Sequence, residues 1–279
     1  MANQKLLEVY GDTKRILCKY DYYIHIPKRI IHLTNTENTI PHLMGLQYIG
    51  RSDMFTGDKG VYLIKKERLK YDSIEKLIRK YYRGQNKQDS LLEMVRGKID
   101  NLHRIEDMLS TYSELYLYDI TANSELKLKT DYLLVNQLED MVLQLGIVKI
   151  CSKKNIVYHC NSFMVDYKRS KDYDLHYRNL TKRYEIGKIV REDKQTKCSE
   201  VIYQSRESQE RELAGIEKMI TDIRNPMDEK LTRTILCLNQ KFGEYHTLDM
   251  LSNEEELKEK CRNREDEVLV NKFIELWRN

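Results

Sequence analysis

Close to residue 110 the hydrophobic period of the chain changes, and that change limits the folds open to it. Upstream, apolar residues recur every three or four positions: Ile74, Leu77, Ile78 and Tyr81, then Leu91, Leu92, Val95, Ile99, Leu102, Ile105, Met108 and Leu109. This is the repeat of helices with one buried face. Downstream the repeat falls to two over residues 115–118, 126–135, 141–150 and 156–165, each run rich in β-branched or aromatic residues and bounded by Asn, Ser, Gly or Lys. Such runs predict an antiparallel meander. Helices followed by a sheet define an α+β fold.

The first forty-odd residues add a helix and a hairpin. Leu6, Leu7, Val9, Tyr10, Ile16 and Leu17 share one side of a helical projection. Strand-like alternation then runs from Tyr22 to Ile26 and from Arg29 to Thr34, on either side of a Pro27–Lys28 turn. Thr36 or Asn38 is placed to cap a short helix whose first turn holds Pro41, and which carries His42–Leu43–Met44–Gly45. Near the positive end of a helix, His42 would lose its proton more easily and serve as a base. The competing reading is a core histidine satisfied by backbone.

Composition narrows the function classes. With 41% hydrophobic residues spread along 279 positions and 33% charged residues, the chain can bury a core under an ionic surface. No stretch approaches the apolar length of a membrane helix, and the Met1–Lys5 start lacks a signal-peptide core; the expected location is the cytoplasm, with no membrane partner. The six cysteines form no C-x-x-C pair, and the histidines form no H-x-x-x-H pattern. We therefore expect neither metal nor cofactor.

Charge is uneven. Residues 1–204 carry a net +8 and residues 205–279 a net −4. Lys76, Arg79, Lys80 and Arg83 concentrate on one predicted helix, while Lys168 and Arg169 open a basic stretch interleaved with Tyr167, Tyr173, Tyr177 and Tyr184. Both patterns suit a phosphate backbone with bases stacked on tyrosine, and both also describe plain solvated faces. A further hairpin is expected across 183–204, and beyond it apolar stripes at Leu213–Ile223, Leu231–Phe242 and Leu257–Leu276 predict helices. The expected organisation is a domain over residues 1–170, a basic Tyr-rich connector over 171–204 and a helical region over 205–279. The acidic helices could cover the basic part, recruit a partner or inhibitor protein, or build a dimer.

Three stretches together resemble a known family: His42–Leu43–Met44–Gly45, then Lys129–Thr130–Asp131–Tyr132, then Tyr158–His159–Cys160–Asn161–Ser162–Phe163, with Arg96 on the helix between. They are similar to the phage-type nucleases of the BECR fold, named for barnase, EndoU, colicin and RelE, over about residues 15–170. Met44 departs from the small or hydroxylated residue common at its position. The resemblance implies helices packed on an antiparallel sheet and a metal-independent ribonuclease, a toxin or phage-conflict effector, acting on RNA. Such cleavage needs a base, an acid and cations around the phosphorus. His42, Arg96, Lys129 and Ser162 supply those types. The competing class is a nucleic-acid-binding or partner-binding protein that keeps the fold without the chemistry.

Overall fold

The computed structural model describes residues 5–50, 54–121, 128–151, 156–168, 180–223, 229–242 and 264–278, with Lys258 and Cys261. The chain divides into two compact units, residues 1–186 and residues 187–279.

The first unit begins with α1 (Lys5–Leu17), which buries Leu6, Tyr10, Ile16 and Leu17. Its last turn leaves carbonyls without helical partners, and the Tyr22 hydroxyl donates to one of them, Ile16 O, at 2.6 Å. That tyrosine belongs to β1 (Tyr20–Ile26), which pairs antiparallel with β2 (Arg29–Leu33) around Pro27 and Lys28. Lys28 closes the turn at φ 68°, a left-handed conformation that costs a side-chain-bearing residue energy.

Glu37 fixes the chain beyond the hairpin. Its carboxylate receives the Tyr10 hydroxyl and the ammonium groups of Lys14 and Lys65, each at 2.5 Å, joining α1 to α3 (Gly57–Lys65). These three donors hold the Glu37 carboxyl down to about 2. Between them runs α2 (Ile40–Leu43), with Pro41 in its first turn. Neither expected cap acts on it: the Thr36 hydroxyl donates to Asn38 Oδ1 at 2.5 Å, and no side chain caps the helix start. Met44 is fully buried, which accounts for an apolar residue in the motif's third position.

Three helices follow, α4 (Ser73–Tyr81), α5 (Gln88–Asn101) and α6 (Ile105–Ser110). The apolar stripes seen in the sequence are their buried faces, with Ile74, Ile78, Val95, Ile99, Leu102 and Ile105 all removed from solvent.

The meander comprises β3 (Glu114–Tyr118), β4 (Tyr132–Gln137), β5 (Met141–Cys151) and β6 (Ile156–Tyr167), and β7 (Leu180–Tyr184) returns beside β3. Among the described residues, the strands of this unit lie in the order β7-β3-β4-β5-β6-β2-β1. The N-terminal hairpin therefore belongs to the same sheet as the meander, and it joins through a parallel pair, Leu33 opposite Tyr158. The sheet is mixed rather than purely antiparallel. Buried Asn35 makes this junction specific, its Oδ1 accepting from Cys160 N at 2.8 Å, since an unpaired buried amide would be costly.

The second unit holds a hairpin of β8 (Lys188–Asp193) and β9 (Ser199–Gln204), then α7 (Arg206–Ile223), α8 (Glu229–Phe242) and α9 (Arg264–Arg278). Ile216, Leu231, Ile235, Leu238, Val270, Phe273 and Ile274 form its core.

Candidate active site

His42 lies in the last turn of α2, which packs on β6. A helix C-terminus would favour the charged imidazolium, yet the His42 pKa is lowered. The sequence expectation of a lowered value holds, but its cause differs. The protein crowded around the ring disfavours the charge first, and the Lys98 ammonium adds repulsion. The ring nonetheless reaches solvent.

Lys98 is the less expected partner. It sits within the apolar stripe of α5, three residues after Val95 and four before Leu102, and is only 3% exposed. Burial lowers its pKa to about 8, against the opposing pull of Asp166. Its ammonium stands 5.3 Å from the centre of the Tyr48 ring, a position suited to a cation over an aromatic face.

Gly45 makes room for this arrangement. Its φ of +78° is left-handed, and a Cβ there would lie 2.9 Å from Lys98 Cδ, so only glycine serves both the turn and the lysine. The fourth position of the His42–Gly45 motif is thus explained by what passes beside it.

Asp166, near the end of β6, completes the group. Burial pushes its carboxyl up to about 7, opposed by Lys98 and by a hydrogen bond donated from Gln144 Nε2. Gln144 is fully buried, and its Oε1 has no hydrogen-bond partner among the described residues. Three titratable groups with displaced pKa values thus share one region, the arrangement expected where protons are moved near neutral pH.

A second polar group surrounds Gly146. Here β5 and β6 slip by one residue: Gly146 pairs with Ser162 and Ile147 with Cys160, leaving Asn161 unpaired in the ladder. A Cβ on Gly146 would meet Asn161 Oδ1 at 2.8 Å and Thr130 Oγ1 at 3.2 Å. Asn161 Nδ2 donates to the Lys129 carbonyl. The bulge brings the Lys129–Thr130 segment beside Asn161–Ser162, as bulges commonly re-aim side chains at functional sites.

A model of the phage-Barnase-EndoU-ColicinE5/D-RelE like nuclease 4 family matches residues 5–208. The chain belongs to this nuclease family. No curated protein and no solved structure matches it. The match is wider than the stretch over which the sequence motifs resemble BECR nucleases, and it takes in α1 and the β8–β9 hairpin.

Within this BECR-type nuclease the four residues singled out from sequence fall into three places. His42 stands near Lys98, which in turn is paired electrostatically with Asp166. Lys129, exposed, and Ser162, buried, are joined through Asn161. Arg96 donates to Glu75 Oε2 on α4 at 3.1 Å. Two residues along α5 correspond to about 200°, which turns Arg96 away from the side occupied by Lys98. Lys76, Lys80 and Arg83 are exposed, while Arg79 pairs with Glu75 and Asp89. Lys168 is exposed, and Arg169 lies outside the described residues.

Sequence reasoning missed Lys98, Gln144 and Asp166. The first left a readable signal, a charge inside an apolar helical stripe. Gln144 left another, an amide in the middle of a strand buried on both faces. Asp166 was masked by the basic stretch that begins two residues later.

Proposed function

We propose that this nuclease cleaves RNA without a metal, by attack of a 2′-hydroxyl on the adjacent phosphorus. In this reading neutral His42 takes the 2′-hydroxyl proton, the new O2′–P bond forms, and the P–O5′ bond breaks as the 5′-oxygen takes a proton from solvent water, leaving a 2′,3′-cyclic phosphate. Lys129 supplies positive charge to the phosphate, and Arg96 serves the packing of α4 on α5. The observation that carries the proposal is a solvent-reaching histidine whose proton affinity is lowered by crowding and by a buried lysine, in a chain of a nuclease family. The role extends to a toxin or phage-conflict effector, which the phage nucleases in the family's description support.

Cellular RNA incubated with the protein in EDTA tests this. Cleavage should persist in chelator, and His42→Ala should slow it by about 10² to 10⁴ at an unchanged melting temperature, with His42→Gln equally inactive. Growth arrest on expression should disappear with the same variants. A stable, fully active His42→Ala protein overturns the assignment. RNA shifted on a gel but never cut identifies a binding protein instead.

A further inference from the structure

Apart from His42 and Lys129, the sheet of the first unit carries a cluster of tyrosines and cations that the proposed cleavage chemistry does not use. The Arg29 guanidinium, at the β1–β2 turn, donates to the Tyr132 hydroxyl at 2.7 Å and lies 5.6 Å from the centre of the Tyr184 ring. Tyr132 meets Tyr158 and Tyr184 edge-on, with centroids 5.8 and 6.1 Å apart. On the same strand as Tyr184, the Lys182 ammonium stands 5.0 Å from that ring.

Pairing shows that these residues share one face. Leu115 lies opposite Tyr184, Leu117 lies opposite both Lys182 and Tyr132, and Lys149 lies opposite Tyr158. Directly opposed residues point to the same side of a sheet, and intervening ones to the other. Arg183 and Glu114 accordingly bridge at 2.8 Å on the reverse face. Among the described strand positions that share the face of Tyr184, none is Asp or Glu, whereas Arg29, Lys149 and Lys182 are all exposed.

Burial separates support from contact surface. Tyr132 and Tyr158 are 3% and 8% exposed, so they form a packed base, while Tyr184 keeps partial access to solvent. A ring held edge-on by Tyr132 and flanked by two cations is pre-organised for a flat, electron-rich partner attached to an anion. That combination is a nucleobase with its phosphate.

We infer that Tyr184, flanked by Arg29 and Lys182, is a stacking subsite for one base of a single-stranded nucleic acid, gripping substrate through residues other than those that cut it. This rests on the ribonuclease reading for its substrate but not for its geometry. It also gives a function to one tyrosine of the basic, Tyr-rich stretch.

Fluorescence anisotropy with a labelled 2′-O-methyl oligoribonucleotide, which has no free 2′-hydroxyl to attack, tests the subsite on the full chain. Tyr184→Leu should weaken binding about tenfold and Tyr184→Trp should restore it. Arg29→Gln with Lys182→Gln should reduce the slope of log affinity against log salt by about 1.4. On cleavable RNA, Tyr184→Leu should raise KM and leave kcat near the wild-type value, with melting temperature as the folding control. Unchanged affinity in a folded Tyr184→Leu protein, or a loss that Trp does not restore, overturns the subsite. If the wild type cleaves while Tyr184→Leu binds normally, the subsite fails and the ribonuclease reading stands. If the wild type binds through Tyr184 but cuts nothing, the subsite stands and that reading fails.

Discussion

At the scale of single residues, the proton affinity of His42 is set by neighbours on other elements. A positive charge nearby disfavours the imidazolium, so removing it must raise the pKa. Lys98→Met keeps the length of the side chain and deletes the charge. With His42 as the base proposed above, the acid limb of the pH–rate profile should therefore move to higher pH in Lys98→Met. A proton NMR titration of the His42 ring should show the same upward displacement. The variant should fold, because it removes a charge that burial already penalises. An unmoved acid limb would disconnect Lys98 from His42. In the wild type the influence of Lys98 should fade above about pH 8, where its own proton is lost.

At the scale of elements, two junctions position the site, and each is testable through stability. Glu37 ties α1 and α3 to the turn before α2, with its carboxyl lowered from 4.5 to about 2. Because the unfolded chain binds that proton more tightly, the contribution is complete above about pH 4.5 and is lost as pH falls through 2. With Glu37 a third exposed, solvent screening reduces the gain to about 1–2 kcal/mol. Glu37→Gln should lower the melting temperature at pH 7 and have little effect near pH 2, as thermal melts at the two values would show. The β1–β2 turn works in the other direction. Lys28 holds φ 68°, so Lys28→Gly should relieve strain and stabilise the protein by up to about 1 kcal/mol, measurable by urea unfolding.

At the scale of the whole molecule, the proposed RNA substrate would meet a net +8 over residues 1–204 against −4 beyond, so its affinity should be an ionic property. If six phosphates are engaged, binding should fall by roughly 10³ between 50 and 200 mM salt; a flat salt response in a filter-binding titration would contradict this. Among the described residues no helix is long and apolar enough to cross a membrane. The sequence by itself determined the helices, because a 3.6-residue apolar repeat such as Ile74–Ile78 or Val95–Ile99 can bury its face in only one local conformation. It also determined the β1–β2 and β8–β9 hairpins, where turn residues separate alternating runs, and the family, through His42–Gly45 and its two companion stretches. Only the tertiary structure decided that β2 lies parallel to β6, that β7 returns to β3, and that Lys98 comes between His42 and Asp166. Local periodicity records which face of an element is buried and says nothing of what it is buried against. Strand order, and the proton affinities of groups brought together from distant positions, are set by contacts between elements.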